Sequence, residues 1–360
     1  SLAIQCAKSG FSTALYEKES YPFHKVCGEY ISLESEPFLE SLGISIKALQ
    51  LPIIKQLNIT DGYGNLYDFD LTLGGFGISR FMLDDLLYNI ALQVGVHVFT
   101  NTKVQDVSFA NNQFTITTNQ YQHNATLAVG GFGKRSNMDV KLKRPFINNQ
   151  KGQLQNFIGI KYHIKYNYPN DLITLHNFKN GYCGISKIEE DKYCLCYLTT
   201  AKNLKINNGS IKQMEASILH QNPKLKHIFT TAEFLYKEPL AISQISFSKK
   251  AQVENHILMI GDTAGLITPL CGNGMSMALH SSKLAYAQIK LYLQQDISRA
   301  DMEQNYTNHW KAQFAKRLLI GRTVQRLFGG TFSTYFFLQF MKKNKWLANK
   351  LIAATHGKPF

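Results

Sequence analysis

The segment ILMIGDTAGLITPLCGNGMSMALHSSKLA, residues 257–285, decides the fold. Four apolar residues run into Gly261-Asp262, which indicates a short buried strand that ends in an acidic loop. A proline, a Gly-Asn-Gly turn and a long apolar-periodic helix follow. Glycines let backbone approach a ligand closely, and a helix N-terminus offers free N–H groups to an anion or an electron-rich ring. The alternative is an ordinary strand-to-helix turn, but the whole run favours a loop that holds a large polar cofactor.

This segment resembles the second FAD fingerprint of the p-hydroxybenzoate-hydroxylase-type flavoproteins. The resemblance implies that Asp262 binds the ribityl chain and that the start of the following helix faces the pyrimidine end of the flavin. It implies the following cofactor-binding residues in this segment: Gly261, Asp262, Gly265, Pro269, Gly272, Asn273, Gly274 and Met275.

The beginning of the chain is typical of the second half of a βαβ unit. SLAIQCAKSG predicts a helix that ends at Gly10, and FSTALYEKE predicts a strand that ends at Glu17. In a Rossmann-like unit, the acid after the second strand binds a ribose diol about 20 residues after the first glycines. We therefore assign Glu17 and its neighbour Lys18 to the adenosine end of the cofactor; a solvated strand-end acid is the alternative. The first strand and its glycine loop would precede Ser1, so we expect an N-terminally truncated chain.

The motif HKVCGEYIS, residues 24–32, resembles a Cys-Gly-Glu motif of the geranylgeranyl-reductase-like branch of that superfamily. The resemblance places Cys27, Gly28 and Glu29 near the flavin. Gly28 would let backbone approach a ring system, and Glu29 could orient a donor or a neighbouring cation. The alternative is a loop with a buried cysteine, since free cysteine usually serves packing. No catalytic residue can be assigned from the sequence.

Three further positions are assigned through the resemblance. Arg80, at the start of a predicted helix, matches an arginine that contacts the phosphate or ribityl region, and a forked guanidinium suits a pyrophosphate. Val104 lies where relatives touch adenine through the backbone. VGGFGKRSNMD, residues 129–139, matches a mid-chain glycine motif, but Phe132 stands where many hydroxylases have Asp, which puts standard pyridine-nucleotide handling in doubt.

The order of predicted elements indicates an α/β fold in which a Rossmann-like FAD-binding domain is interleaved with an antiparallel-sheet substrate domain, followed by a helical C-terminus. The FAD-binding domain comprises residues 1–29, 80–150 and 243–295; the sheet domain comprises residues 30–79 and 151–242; the C-terminal helical region is 296–360.

Composition narrows the class of protein. The 360 residues carry a formal net charge of +14, which favours anionic cofactors, an acidic membrane surface or nucleic acid, yet no nucleic-acid motif occurs. Six scattered cysteines suit a reducing compartment, and Cys194-Leu-Cys196 lacks the partner pair of a metal site. The tail mixes apolar runs with Lys and Arg. It could close a substrate tunnel, lie against a membrane interface or simply pack as helices. We predict a cytoplasmic protein that can contact a membrane peripherally, with no metal and no nucleic-acid partner.

Together these features predict an FAD-dependent oxidoreductase that acts on a hydrophobic prenyl, polyene or aromatic substrate. NAD(P)H or a reduced carrier would be the electron donor. One alternative is an aromatic-ring monooxygenase that consumes oxygen. The other is a flavin-binding or degenerate protein without turnover.

Overall fold

The computed structural model describes residues 1–134, 136–148, 156–268 and 272–360. Pro269, one of the predicted cofactor residues, lies outside these ranges. The helices are α1 Leu2–Lys8, α2 Glu36–Leu42, α3 Arg80–Gln93, α4 Asn137–Lys141, α5 Pro145–Asn148, α6 Ala201–Ile206, α7 Ile211–Ser217, α8 Pro223–Thr231, α9 Gly274–Leu293, α10 Arg299–Leu327, α11 Thr331–Lys343 and α12 Lys345–Thr355. The strands are β1 Ala14–Tyr16, β2 Tyr30–Ser32, β3 Ile53–Thr60, β4 Leu66–Gly77, β5 His97–Phe99, β6 Val104–Ala110, β7 Gln113–Thr118, β8 Gln122–Ala125, β9 Val129–Gly130, β10 Phe157–Lys165, β11 Leu172–Phe178, β12 Gly181–Lys187, β13 Tyr193–Thr200, β14 Glu233–Phe234, β15 Leu240–Ile245, β16 Val253–Glu254 and β17 Ile257–Met259.

One nine-stranded sheet unites the two segments that we assigned to the substrate domain. Its order is β14-β10-β13-β12-β11-β3-β4-β2, with β15 also on β10. Its strand pairs are antiparallel except β3 with β11, which run parallel from the Leu172–Gln56 pair to the His176–Thr60 pair. β15 extends past the predicted boundary at residue 242, because Ile245 still pairs with Phe157. Strand β10 is buried at every position but Lys165, since apolar clusters cover both sides of this sheet.

The parallel strands form two small sheets. β1 pairs with β5, with Ala14 opposite His97, and β9 pairs with β17, with Val129 opposite Leu258. Helix α1 packs against α9, and its Leu2, Ile4 and Cys6 side chains are buried. These elements and the helical C-terminus confirm the predicted α/β class. The expected strand upstream of Ser1 stays a prediction.

Local signals account for several elements. Asn111 and Asn112 adopt φ values of 50° and 60°, as the two-residue turn between β6 and β7 requires. Helix α3 begins at Arg80, where the Ser79 side chain accepts a hydrogen bond from the Met82 N–H. The sequence reading missed α6 and α8. Helix α8 carries a start signal that could have been recognised, because Asn222 caps it ahead of a proline at its first position.

The C-terminal helices follow from capping and apolar periodicity. Ser298 and Asp301 form a capping box at the start of the 29-residue helix α10. Four apolar side chains recur every four residues along this helix: Met302, Tyr306, Trp310 and Phe314. All four are buried in one apolar cluster with residues of β17 and α9. Within the described ranges, no helix combines the length and apolar character that crossing a bilayer requires.

Candidate functional site

Loops that are distant in sequence meet beside the ends of the parallel strands. The loop after β9 contacts the loop after β17, since the Gly133 N–H donates to Thr263 Oγ1 at 2.9 Å. The loop after β9 also contacts the segment before β2, where Lys134 Nζ donates to the Val26 carbonyl at 3.2 Å. These contacts bring together described residues of three predicted motifs, 24–32, 129–139 and 257–285.

The Glu29 carboxylate has three hydrogen-bond partners in this region. Its side chain is fully buried, and its backbone adopts a φ of 55°. Oε1 accepts from Lys161 Nζ at 2.5 Å and from the Arg80 N–H at 2.8 Å, while Oε2 lies 2.5 Å from His163 Nε2. Burial alone would raise the pKa of Glu29, but the hydrogen bond from His163 and the charge of Lys161 lower it below its ordinary value. Glu29 is therefore an ionised anchor that fixes its own loop to β10 and to α3.

A hydrogen-bonded chain leads from Glu29 towards the surface. His163 Nδ1 lies 2.6 Å from the Tyr236 hydroxyl, which lies 3.2 Å from His24 Nδ1. His24 is half-buried and stacks on Phe81, with ring centroids 4.6 Å apart. Burial, followed by the nearby charges of Lys161 and His163, lowers the pKa of His24. The chain Glu29–His163–Tyr236–His24 provides a continuous route along which a proton can move between a buried carboxylate and a half-exposed imidazole.

A metal ion is a poor fit to the acidic end of this chain. Glu29, His163 and Cys194 have potential ligand atoms within 4.8 Å of one another. The ammonium of Lys161 already neutralises the carboxylate and would repel a cation. Burial raises the pKa of Cys194 well above its ordinary value, so the thiol stays protonated and donates to the Cys27 carbonyl at 3.3 Å.

The predicted ribose and phosphate residues belong to a second charged group. Arg80 donates to both oxygens of Asp84, from Nε at 2.9 Å and from an Nη at 2.7 Å. Lys25 Nζ lies 3.0 Å from Asp84 and 3.8 Å from Glu17. Burial alone would raise the pKa of Asp84, but Arg80 and then Lys25 lower it. Glu17 thus lies within reach of a cation, whereas the exposed Lys18 pairs with Glu19.

Asp262 reaches the region through a loop that is held by its backbone. Lys250 Nζ donates to the carbonyls of Asp262 and Lys134, both at 2.8 Å, and so ties together the loops after β17 and β9. Burial lowers the pKa of Lys250 to about 8. The Asp262 carboxylate accepts no hydrogen bond from any residue that the structure describes, although Arg80 lies near enough to feel its charge. This carboxylate is therefore free to accept hydroxyl donors.

The start of α9 leaves polar groups unpaired. Gly272 has a φ of 66°, and a Cβ there would lie 2.9 Å from the ring of Tyr30. Asn273 donates to the Thr355 carbonyl at 2.5 Å and does not cap the helix with its side chain. Asn273 Oδ1 and Ser276 Oγ are buried and have no hydrogen-bond partner among the described residues. These orphaned atoms and the open helix start suit a polar, ring-shaped ligand.

Other predicted residues have different surroundings. A Cβ at Gly28 would meet nothing within 4 Å, so open space adjoins this backbone. Gly265 has a packing reason for lacking a side chain, since a Cβ there would lie 2.6 Å from the Trp310 ring. Met275 packs against an apolar cluster beneath α3, and Val104 opens β6 opposite Thr118.

An apolar cavity of about 100 Å³ lies behind Tyr30. Its floor is one face of the nine-stranded sheet, and its roof is the end of α10 together with α11 and α12. Tyr30 and Gly272 form the wall nearest the start of α9. The Tyr30 hydroxyl is buried and has no hydrogen-bond partner within the described ranges. The residues that line the floor and roof include Leu57, Ile59, Leu71, Ile173, Leu175, Phe328, Phe337, Leu338, Met341, Leu351 and Ile352.

Sequence reasoning missed Lys161, His163, Tyr236 and His24. A signal existed for the first two. They alternate within the otherwise apolar strand FIGIKYHIK and so point to the same face. A lysine and a histidine on one buried strand face require an acidic partner, which Glu29 supplies.

Comparison with solved structures identifies the fold. The flavin-dependent brominase Bmp2 superposes with a TM-score of 0.79 at 18% identity, covering 98% of this chain and 89% of Bmp2. A flavoprotein/dehydrogenase from Cytophaga hutchinsonii gives 0.77 at 15% identity, covering 98% of this chain and 90% of that one. PqsL, a probable FAD-dependent monooxygenase from Pseudomonas aeruginosa, gives 0.70 at 12% identity, covering 92% and 94%. The chain has the fold of FAD-dependent halogenases and monooxygenases.

Sequence comparison is less specific. Conditioned medium factor receptor 1 of Dictyostelium discoideum is 22% identical over 352 residues, which cover 90% of this chain and 67% of the receptor. An uncharacterised protein of Methanocaldococcus jannaschii is 31% identical over 75 residues, or 21% of this chain and 19% of that protein. No protein-family model matches the chain.

Proposed function

We propose that the protein is an FAD-dependent oxidoreductase that acts on a hydrophobic small molecule. The proposal rests on the observation that the apolar cavity and the predicted cofactor loops adjoin the same two residues. Tyr30 and Gly272 close an apolar cavity on one side, and the predicted cofactor loops 27–29 and 273–275 adjoin them in the chain. When bound, FAD supplies the redox chemistry, and the protein orients both molecules and excludes water.

The residues present fit FAD in charge and hydrogen-bonding capacity. Asp262 would accept hydroxyl groups of the ribityl chain, because its carboxylate is otherwise unoccupied by the described residues. Asn273, Ser276 and the open start of α9 would meet the polar edge of the flavin ring. Arg80 and Lys25 would balance phosphate charge, and Glu17 would accept hydroxyls of the adenosine ribose.

Glu29 and its partners would have two tasks beside this cofactor. The pairing of Glu29 with Lys161 fixes the loop of Cys27 and Gly28 against the sheet. The chain through His163 and Tyr236 to His24 would deliver or remove the proton that accompanies a two-electron redox step.

The cavity limits the group that can be held beside Tyr30. The cavity of about 100 Å³ is smaller than an apolar cavity of about 150 Å³ that binds benzene, so it would hold a short branched aliphatic group. Two reaction classes remain in the proposal. The Cys-Gly-Glu motif favours a geranylgeranyl-reductase-like reduction of a double bond, whereas the likeness to PqsL favours an oxygen-consuming monooxygenation. NAD(P)H or a reduced carrier would supply the electrons in either case, and peripheral membrane contact is part of the proposal.

A titration with FAD tests the cofactor assignment. We expect flavin fluorescence to change on binding, and Asp262→Asn to weaken FAD by roughly tenfold, as loss of a charged hydrogen-bond acceptor predicts. The control is Asp191→Asn, which alters a 96% exposed aspartate that pairs only with Lys187 among the described residues. Equal FAD affinity of Asp262→Asn and the control would show that Asp262 does not bind the ribityl chain.

Oxygen consumption separates the two reaction classes. A monooxygenase should take up oxygen when a hydrophobic aromatic compound is added with reduced flavin, and should yield a hydroxylated product. A reductase should saturate a double bond equally well without oxygen.

A further inference from the structure

An aromatic and basic face covers the outside of the helix pair that roofs the cavity. Phe332, Phe336 and Phe340 follow one another at four-residue spacing along α11 and are 73%, 66% and 53% exposed. Trp346, at the start of α12, is 73% exposed, and Leu347 beside it is 36% exposed. We call these five residues the aromatic face. Large apolar side chains in such a contiguous exposed group mark an interaction site.

The charged residues of the C-terminal helices α11 and α12 themselves all have one sign. From Gln304 to Phe360 the sequence contains ten Lys and Arg residues and no Asp or Glu. Exposed lysines 342, 343 and 345 join the two helices, and Lys350 Nζ lies 4.8 Å from the centre of the Trp346 ring. These lysines favour an anionic partner, and the aromatic face favours one that also accepts bulky apolar side chains.

We infer that the aromatic face docks onto an anionic lipid bilayer surface. Aromatic and aliphatic side chains enter the boundary between headgroups and acyl chains, while the neighbouring lysines stay with the negative headgroups. A tryptophan beside them is typical of the interface, because its ring is apolar and its N–H is polar. Nucleic acid would match the charge but offers no medium for three phenylalanines on one helix face.

The opposite side of the same helices gives the docking surface a further role. Phe337, Leu338 and Met341 of α11 and Leu351 and Ile352 of α12 line the cavity. The roof between bilayer and cavity is thus one helix thick, so a hydrophobic substrate would enter from the membrane. This route rests on the proposed function, whereas docking itself does not require FAD.

Vesicle binding tests the docking directly. The full chain is mixed with vesicles of phosphatidylcholine alone or with about one third phosphatidylserine, and flotation is measured together with tryptophan emission. The chain has only two tryptophans, and Trp310 is buried, so a blue shift would report Trp346. We expect binding to the serine-containing vesicles, a blue shift, and quenching of Trp346 by brominated acyl chains.

Matched variants distinguish docking through the aromatic face from non-specific adsorption to vesicles. Combined Phe332→Ser, Phe336→Ser and Phe340→Ser should reduce affinity for anionic vesicles at least about tenfold, since three side chains would no longer enter the bilayer. Tyr63→Ser with Ile206→Ser, which alters residues that are 58% and 61% exposed elsewhere, should leave affinity unchanged. Lys342→Gln, Lys343→Gln and Lys345→Gln should remove the preference for phosphatidylserine, whereas Lys202→Gln, Lys205→Gln and Lys212→Gln should not.

Several results would overturn the inference. The first is that the full chain does not bind anionic vesicles. The second is that the control variants lose as much vesicle affinity as the matched variants. The third is a dimer in light scattering that the triple serine variant dissociates. Binding of polyglutamate or nucleic acid without vesicle binding would assign the face to another class of partner. The FAD titration is done without lipid, so its outcome stays independent of these results.

Discussion

Glu29 and Tyr30 are adjacent in the chain but have opposite surroundings. The Glu29 carboxylate accepts from a lysine, a backbone N–H and a histidine, and its contacts with the lysine and the histidine are buried. The Tyr30 ring lines an apolar cavity, and its buried hydroxyl has no partner in the described part of the chain. The first environment is complete without a ligand, and the second is not. The comparison indicates that Glu29 positions its loop, and in the proposed function Tyr30 would contact the ligand.

The largest expected effect is the loss of stability when the Glu29 carboxylate is neutralised. Glu29→Gln should lower the free energy of unfolding by about 3–5 kcal/mol, because it leaves the buried Lys161 charge without its counter-ion. Urea denaturation with a circular dichroism readout measures the change. Asp191→Asn is the control, since the Asp191 side chain is 96% exposed and its pairing with Lys187 should contribute nothing measurable. A loss no larger than that of the control would show that Glu29 is not an anchor.

Acid should erase the same stabilisation. The folded-state pKa of Glu29 is lowered from its ordinary value of 4.5, so the unfolded chain binds the proton more readily. The contribution of Glu29 is therefore fully present above about pH 4.5 and is lost as pH falls through the folded-state pKa. Urea unfolding of the wild type and of Glu29→Gln between pH 7 and 3 should give two curves that converge at the acid end. Curves that stay parallel would contradict the pairing.

A smaller loss of stability is expected when the hydrogen-bonded chain from Glu29 to His24 is broken at Tyr236. Tyr236→Phe removes the hydroxyl that joins His163 to His24, and should cost about 0.5–1.5 kcal/mol of unfolding free energy. NMR titration of the imidazole signals should show a changed pKa for His24 relative to the wild type. Tyr63→Phe, at an exposed position, should alter neither quantity.

The smallest change in stability is expected at Tyr30, where a substitution should not lower it. Tyr30→Phe removes a buried hydroxyl that has no partner in the described ranges, so stability should be unchanged or raised by up to about 1 kcal/mol. Thermal unfolding of the protein without ligands measures this. A clear loss of stability would show that the hydroxyl is paired and that the contrast with Glu29 is wrong.

Local sequence signals predicted much of the fold. The buried strand and the long helix of the 257–285 segment and the α1 helix depend on neighbours in the chain, and the structure confirms them in the part of the chain that it describes. The fold class followed from the order of these elements. Hydrogen bonds join described residues of several predicted motifs, whereas the assignment of these residues to FAD stays a proposal.

The rest depended on contacts that the sequence does not specify. Glu29 and Lys161 are 132 residues apart, and no local pattern shows that β10 passes beside the Cys27–Glu29 loop. The cavity likewise needs strands and helices from four parts of the chain. The alternation of Lys161 and His163 within a buried strand was the one visible clue, and it indicates an acidic partner without naming it.

The parallel pairing of β3 with β11 has a consequence for synthesis on the ribosome. Gln56 pairs with Leu172, so more than a hundred residues must be made after β3 before its partner exists. The hairpin of β3 and β4 ends at Gly77, about 95 residues before Leu172. At about 5–20 residues per second, it waits roughly 5–19 seconds with one edge of β3 open. An open strand edge is a template for pairing with other chains. The nascent protein should therefore depend on a chaperone during that interval, and truncations that end before residue 172 should aggregate more than truncations that end after 200.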